Sequence, residues 1–294
     1  MDGWVDEVAR LEELGHALLA EFPHLTGLFD RVEQLLAGTP GADRAAAVVR
    51  LARALPPKRV RRTAALLAAG QPARALLAMD LPLELGACVV HELVLRGEPV
   101  PAGWRSRLAG HPLGALPLEP LPGERAAPRA RTALITAAGV VPSATRRTTP
   151  GDATAAVTTW LTESNGRAEA AVFTLGAPLA AADVGIRTVE SLGLECLAGN
   201  GLALRAATLS GVVPLLFGAA ANGGAYDHGQ GGAYGRLAAW RSVKALADGV
   251  AEGCAWWTFD AANDWFRRRE WDLGVLCLRA GGRGLAVLAA TDED

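Results

Sequence analysis

The chain has 294 residues, 50% of them hydrophobic, and carries 29 Lys and Arg against 31 Asp and Glu. This length is enough for two domains that each bury a core, and the near-neutral charge argues against the basic surface that a nucleic-acid partner requires. The N-terminus is acidic where a secretory signal is positive, and the most apolar stretch, residues 202–221, is interrupted by Arg205 and Pro214. We therefore expect a globular cytoplasmic protein with no nucleic-acid partner and no membrane span.

Helical periodicity dominates the N-terminal third of the chain. Apolar side chains recur there at spacings of three and four, and prolines or glycines interrupt the pattern. Because the connections between the periodic segments are short, consecutive helices are expected to be antiparallel neighbours. Residues 1–98 are therefore predicted to form an α-helical domain, either a bundle or an array of helical hairpins. The predicted helices cover residues 2–22, 26–37, 43–55, 58–69, 72–79 and 83–96.

The pattern changes after residue 98. Residues 99–130 are rich in proline and glycine and are predicted to connect two domains. Residues 131–294 mix helical and strand periods without regular alternation, which predicts an α+β domain with an antiparallel sheet. This domain is expected to end in a β-hairpin built from residues 271–278 and 284–290. The other predicted strands cover residues 132–137, 168–175 and 254–259, and the predicted helices cover residues 152–161, 180–192, 210–221 and 233–248.

The four cysteines predict neither a disulfide nor a metal site. They are scattered along the chain, form no Cys-x-x-Cys pair and have apolar neighbours in the sequence. We therefore expect buried free thiols at Cys88, Cys196, Cys254 and Cys277.

The glycine-rich loop of residues 218–235 is the strongest site candidate in the sequence. It holds seven glycines and both tyrosines of the protein. Glycine lets the backbone approach a ligand closely, and the amides that open the next helix favour an anion. A cation in the first turn of that helix, Arg236, also requires an acid or an anion beside it. The alternative is a tight structural connection whose tyrosines pack on the core. The candidate ligand-binding residues are Asn222, Tyr226, His228, Gln230, Tyr234, Arg236 and Trp240.

Named catalytic and cofactor motifs are absent from the sequence. The dinucleotide-binding pattern fails because Tyr234 stands where the third glycine is required, and neither lysine follows a glycine as a P-loop demands. His91 and Glu92 begin a zinc-protease motif, but Leu95 replaces its second histidine. A Gly-x-Ser-x-Gly serine-hydrolase motif does not occur. The sequence thus predicts no cofactor and no metal, and it leaves the catalytic residues and enzymatic activity open.

Aromatic and acidic residues are concentrated near the C-terminus. Five of the eight tryptophans lie within residues 240–271, which suits either a domain core or a binding surface. Asp260 and Asp264 lie four residues apart. This spacing fits Asp260 as the cap of a short helix running to Arg267, or two carboxylates that act together in acid–base catalysis.

Several short strings in the C-terminal half carry a resemblance to a known family. They are Gly-Gly-Ala-Tyr followed by Gly-Ala-Tyr-Gly-Arg-Leu-Ala-Ala-Trp-Arg-Ser within 223–242, then Asp264-Trp-Phe, Trp271-Asp-Leu-Gly and the closing residues 285–292. In this order they resemble an actinobacterial family catalogued only as a domain of unknown function. The resemblance covers the C-terminal half well and the helical half poorly. It implies a bacterial cytoplasmic protein and supplies no activity, substrate or catalytic residue.

Two functions from different classes fit these observations. The first is a non-enzymatic interaction module, in which the helical half, the aromatic-rich sheet or a groove between them binds a protein or peptide partner. The alternative is an enzyme, or a small-molecule or anion-binding protein, that uses residues 222–236, which comprise most of the glycine-rich loop and Arg236. The lack of an acid, base or metal constellation favours the first function. The sequence does not specify the oligomeric state.

Overall fold

The chain divides into two compact units. The first comprises Met1–Pro120 with Gly231–Tyr234, and the second comprises Leu121–Gln230 with Gly235–Asp294. Helices come first along the chain and an antiparallel sheet follows, which confirms the predicted α+β class. The structure is a computed structural model that describes residues 2–22, 24–125, 133–198, 201–266 and 271–293, with side chains described from residue 6 onward.

The first unit is helical, and all six helices predicted for residues 1–98 are present with ends within a few residues of expectation. The helices are α1 (Asp2–Ala20), α2 (Thr26–Gly38), α3 (Ala42–Ala52), α4 (Pro57–Gly70), α5 (Ala73–Ala78) and α6 (Leu83–Arg96), followed by α7 (Gly103–Arg107) and a 3-10 turn at Pro112–Ala115. Their apolar faces pack against one another, and the most extensive packing is between α4 and α6.

Residues 99–120, the first part of the predicted connector, belong to the first unit. Trp104 and Leu113 are buried there. The Trp104 ring lies against α6, where a Cβ added to Gly86 would stand 3.1 Å from it. The His91 imidazole of α6 bonds the Leu113 carbonyl oxygen at 2.9 Å. The prolines therefore limit regular helix in this segment without preventing it from packing.

The second unit is built on a six-stranded sheet in which every neighbouring pair of strands is antiparallel. Four of its strands match predicted ones, including both strands of the C-terminal hairpin. The two outer strands were not predicted, because one is short, polar and exposed and the other is interrupted by Arg205. The strands are β1 (Ala144–Arg147), β2 (Arg167–Leu175), β3 (Leu202–Ala207), β4 (Ala255–Ala261), β5 (Leu273–Leu278) and β6 (Gly284–Thr291). Their order across the sheet is β1-β2-β6-β5-β4-β3.

The strand predicted for residues 132–137 is wrong in the part that the structure describes, and residue 132 lies outside it. Leu134 makes a single bridge to Arg205 at the outer side of β3. The segment then turns to a different partner, since the Ala137 carbonyl accepts the Ile186 N–H at 3.1 Å. Backbone groups that a strand would place in the ladder are thus used to fix the start of the following helix.

The remaining helices of the second unit are shorter than predicted where they lie before β3. The segment predicted as a helix over residues 152–161 is a 3-10 helix in its first part. The segment predicted as a helix over residues 180–192 is divided at Gly185, where an added Cβ would lie 2.4 Å from a backbone oxygen. The elements are 3-10 segments at Gly151–Val157, Ala181–Asp183 and Glu195–Leu197, and helices α8 (Thr158–Glu163), α9 (Ile186–Glu190), α10 (Leu209–Asn222) and α11 (Gly231–Leu246), the last of which begins in the first unit.

The sheet carries two different faces because side chains alternate along each strand. One face bears the main apolar core, where Phe173, Trp257 and Val287 are buried together with residues of the segment between β2 and β3. Among the described residues this core contains none from α10, although α10 contacts β4. Helix α10 therefore packs on the opposite face, the face to which Arg205 and Thr258 belong by register.

Candidate functional site

The predicted site begins in the loop between α10 and α11, whose turn is organised by one buried carboxylate. Asp227 accepts the Gly224 N–H at 2.8 Å and the Gly229 N–H at 2.6 Å. Gly229 has a φ of +63°, and a Cβ there would stand 2.4 Å from the Ala221 carbonyl oxygen. The glycine is therefore required by the compact turn itself.

Two further oxygen atoms of the second unit hold the same loop. The Ala225 N–H donates to the Asp292 carboxylate at 2.7 Å, and Asp292 is almost fully buried. The Tyr226 N–H donates to the Ser164 hydroxyl at 3.3 Å. The amides that the sequence offered to a ligand are thus bound by the protein's own side chains.

The opening of α11 is likewise occupied by a carboxylate of the first unit. Glu92 of α6 accepts the Ala233 N–H at 3.1 Å, and a Cβ added to Gly232 would clash with the Glu92 carboxylate. Burial raises the pKa of Glu92, while the bond from Ala233 acts in the opposite direction. Glu92 therefore stands where the sequence predicted an anion, at the positive end of a helix.

Tyr234 takes part in a hydrogen-bonded group within the first unit. Its hydroxyl donates to the Glu84 carboxylate at 3.2 Å, and the Arg61 guanidinium lies 3.8 Å from the centre of its ring. The Leu113 N–H donates to Nδ1 of His111, so the proton of the neutral imidazole is on Nε2, which donates to Glu84 at 2.9 Å. Burial and the neighbouring Glu84 raise the pKa of Tyr234 to about 12. The phenol therefore remains protonated and holds Glu84 in place.

Arg236 has its required acid, and the pair is closed to solvent. Its Nε lies 2.8 and 3.0 Å from the two carboxylate oxygens of Glu124, and both side chains are 0% exposed. The expectation that Arg236 needs a balancing charge is thus met inside the protein. Sequence reasoning did not find Glu124, because it precedes Arg236 by 112 positions and no local pattern connects them.

The other predicted residues are more accessible. Asn222 and His228 are exposed, and Tyr226 is 57% exposed. Gln230 is half-buried, and Trp240 is half-buried with the Lys244 ammonium 5.8 Å from its ring centre. The seven candidates therefore do not converge on one cavity, since Arg236 is sealed in an ion pair while Tyr226 and His228 face solvent.

One of them, Asn222, lines a groove on the second unit that the sequence did not predict. A cavity of about 320 Å³ beside Asn222 is lined by Trp160, Pro214 and Trp271 among others. A second cavity, of about 650 Å³, is lined by Arg205, Thr258 and Asp260 among others. Both include Leu215, Asp272 and Leu273, so the two cavities adjoin and form one groove, which we call the α10 groove.

Helix α10 forms one wall of this groove with a single face. Gly211, Leu215, Gly218 and Asn222 follow one another at spacings of four, three and four, which places them along one stripe of the helix. A Cβ added to Gly218 meets nothing within 4 Å. The stripe alternates small residues with an exposed leucine, so it leaves room for a ligand to approach the helix backbone.

The two ends of the α10 groove differ in chemistry. At one end the Trp160 indole N–H donates to the Ala219 carbonyl at 3.2 Å, which fixes the ring beside the helix. At the junction, the Asp272 carboxylate lines both cavities and is positioned by the Thr291 hydroxyl, which donates to it at 2.6 Å. The lining beyond the junction includes Asp260 and Arg205. The groove is therefore apolar and aromatic at one end and charged at its junction and its other end.

The predicted helix cap at Asp260 is wrong. Asp260 lies within β4, opposite Ala203 of β3, and the described residues after β4 form bends up to Phe266. Residues 267–270, which include the predicted helix end, lie outside the described residues. Asp260 instead contributes to the α10 groove, whereas Asp264 is absent from its lining.

Comparison with known proteins identifies a family without an assigned role. The chain belongs to a family of unknown function, DUF6183, whose model matches residues 4–294. The match includes the N-terminal helices, so the family relation extends beyond the C-terminal half in which the resemblance was found. No curated protein and no solved structure matches the chain.

The described part of the chain lacks two kinds of feature. None of the helices there has the length and apolar character needed to cross a membrane. The same residues contain no group of three or more His, Cys, Asp or Glu side chains placed to hold a metal ion.

Proposed function

We propose that this protein is a non-enzymatic binding protein that holds an extended peptide segment of a partner protein in the α10 groove. The observation that carries the proposal is the junction of the two cavities at Leu215, Asp272 and Leu273. A long, open groove of this kind suits a chain more than a compact ligand, which a pocket surrounds on most sides. The resemblance adds a bacterial, actinobacterial and cytoplasmic setting to the proposal.

The dimensions of the groove support an extended peptide. The stripe from Gly211 to Asn222 spans eleven helical steps, which correspond to about 16 Å at a rise of about 1.5 Å per residue. An extended chain covers that length with about five residues at about 3.3 Å each. The gap above Gly218 gives the peptide backbone a place near the middle of the stripe.

The chemistry of the two ends supports a specific kind of peptide. Pro214 and Trp271, which are half-buried, offer apolar surface to an aromatic or aliphatic side chain, and the buried Trp160 lies beneath this part of the groove. The carboxylates of Asp272 at the junction and of Asp260 beyond it, against the one cation Arg205 in the lining, favour a lysine or arginine in the peptide. We therefore propose a segment with an apolar residue and a basic residue separated by a few positions.

The alternative function, an enzyme or an anion-binding protein that uses residues 222–236, has weaker support. The loop amides of Gly224, Ala225 and Gly229 bind Asp227 and Asp292, and Arg236 binds Glu124. An incoming anion would have to displace one of these carboxylates. The exposed side chains of this loop are better suited to widen a peptide-binding surface beside Asn222.

Selection from a library of displayed peptides on the purified chain tests the proposal. We expect enrichment of peptides that pair an apolar with a basic residue, and we expect the Gly218→Trp variant to bind them at least about tenfold more weakly, because the indole fills the groove. Fluorescence anisotropy with a labelled selected peptide measures the Kd.

Gly151→Trp is the matched control, since a Cβ at Gly151 also meets nothing within 4 Å and Gly151 does not line the groove. This variant should bind as the unmodified protein does. Equal binding of the peptides to Gly218→Trp would contradict the proposal. Failure of the selection, together with thermal stabilisation by inorganic phosphate, would favour the loop alternative.

A further inference from the structure

Two of the four cysteines lie side by side in the second unit. Cys254 precedes β4 by one residue, and Cys277 lies in β5 opposite Trp256. Since Cys254 is two residues from Trp256, the alternation of the strand places both cysteines on the same face, as diagonal neighbours. The two thiols shift each other's pKa in opposite directions, that of Cys254 downward and that of Cys277 upward. Cys277 is buried, but Cys254 is partly exposed, so the prediction of four buried thiols is wrong for Cys254.

The surroundings of Cys254 favour a thiolate. The neighbouring Cys277, the Ala280 backbone N–H and the positive charge of Arg279 lower the pKa of Cys254 to about 6, while burial and the charge of Glu252 act in the opposite direction. As a thiol, Cys254 donates to the Val250 carbonyl at 3.3 Å. The neighbouring Cys254, together with burial, raises the pKa of Cys277.

Arg279 is held where its charge acts on the pair. Its Nε donates to the Leu246 carbonyl at 3.0 Å, and its Nη2 donates to the Ala245 carbonyl at 3.2 Å. Asp248 lies 3.5 Å from the guanidinium, but its side chain is 77% exposed, so solvent screens its charge. The cation is therefore fixed by the end of α11 and kept close to the hairpin that carries Cys277.

The other two cysteines provide an internal contrast. Burial, with the neighbouring carboxylates Glu84 and Glu169, raises the pKa of Cys88 and Cys196 respectively. Both are buried. A protonated thiol that lies away from solvent reacts slowly with an oxidant from solution, so these two cysteines are not expected to meet a hydroperoxide directly.

We propose that Cys254 is a modification site that reacts with hydroperoxides, and that Cys277 resolves the product into a reversible Cys254–Cys277 disulfide. The partly exposed member of the pair meets the oxidant, and the buried member needs no access to solvent because it is the diagonal neighbour of its partner on the same face. The proposal is independent of the α10 groove.

The chemistry balances in two steps. The Cys254 thiolate attacks one oxygen of the hydroperoxide, the O–O bond breaks, and the departing oxygen takes up a proton as water or an alcohol while the sulfur is oxidised to a sulfenic acid. The Cys277 sulfur then attacks the Cys254 sulfur, the S–O bond breaks, and the hydroxide leaves as water with the proton from Cys277. A small-molecule dithiol or thiol reductant reverses the change by thiol–disulfide exchange.

Treatment of the native full-length chain with near-stoichiometric hydrogen peroxide at neutral pH tests the proposal. We expect the loss of two titratable thiols, a mass lower by two hydrogen atoms, and a peptide map that joins Cys254 to Cys277. Cys277→Ser should accumulate a sulfenic acid on Cys254 that dimedone traps. Cys254→Ser should react at least about tenfold more slowly, and Cys88→Ser should react as the unmodified protein does.

Alkylation of Cys254 by iodoacetamide provides a second measurement that does not depend on a variant. Its rate should follow a titration with a midpoint near pH 6, as the pKa of about 6 requires. If Cys277→Ser does not fold, Cys277→Ala serves in its place. Retention of all four thiols under peroxide, or equal rates in the Cys254→Ser and unmodified proteins, would overturn the proposal.

Discussion

At the scale of single residues, the ion pair of Arg236 and Glu124 joins two segments that lie far apart in the chain. The helix predicted from residue 233 placed Arg236 in its first turn and indicated that a negative charge must lie beside it. The helix begins earlier, at Gly231, so Arg236 is its sixth residue. The structure supplies Glu124 from a distant segment, and the pair is fully buried. A requirement of this kind is local, whereas the residue that meets it depends on which segments fold together.

Glu124→Gln should be strongly destabilising, because it leaves the Arg236 guanidinium buried without its counter-charge. We expect the free energy of unfolding to fall by about 3–5 kcal/mol. Urea denaturation at pH 7, followed by circular dichroism, measures the change.

Glu119→Gln is the control, since the Arg105–Glu119 pair is 3.9 Å long and both side chains are largely exposed. It should change the free energy of unfolding by less than about 1 kcal/mol. Replacing both buried partners by apolar residues, in Glu124→Leu with Arg236→Met, should recover much of the loss. Similar effects of Glu124→Gln and Glu119→Gln would show that the buried pair does not stabilise the fold.

At the scale of elements, the sequence predicted helix α10 but not the side of the helix that stays uncovered. Apolar composition predicted a helix over 210–221, and the helix is present at Leu209–Asn222. Periodicity did not indicate which stripe stays uncovered, because the helix is apolar on most sides. The open stripe through Leu215 and Gly218 follows from the strands beside which the helix lies.

Two glycine substitutions in neighbouring elements should have opposite effects on stability. Gly218→Ala should raise the free energy of unfolding by about 0.5–1 kcal/mol, because the position is helical and its Cβ meets nothing within 4 Å. Gly229→Ala should lower it, by about 1 kcal/mol or more, because the φ of +63° and the nearby carbonyl oppose a side chain. Thermal and urea denaturation of both variants measure the difference. A loss of stability in Gly218→Ala would show that the stripe is covered.

At the scale of the whole molecule, the sheet depends on pairings between distant parts of the chain. The last strand, β6, lies between β2 and β5, and the register pairs Arg167 with Thr291. The first strand, β1, stands at an edge and all four of its residues are exposed. Position in the sheet, rather than order in the sequence, should therefore decide how much each strand contributes to stability.

Leu288→Ala in β6 tests this expectation against Thr145→Ala in β1. Leu288 is fully buried, so its truncation should lower the free energy of unfolding by about 2–5 kcal/mol. Thr145 is exposed, and its replacement should change stability by less than about 0.5 kcal/mol. Urea denaturation measures the free energy of unfolding of both variants. Equal losses would contradict the expectation that a central strand contributes more to stability than an edge strand.

The sequence by itself determined the features that depend on near neighbours. The six N-terminal helices, the C-terminal hairpin, the α+β class and the demand for an acid near Arg236 follow from spacings of a few residues, because backbone hydrogen bonds and turn geometry act over that range. The tertiary structure alone decided that Glu92, Asp227 and Glu124 occupy the places of a predicted ligand, and that the α10 groove joins Asn222 to Asp260. These contacts join residues far apart in the chain, and only the strand order and the packing of the helices bring them together.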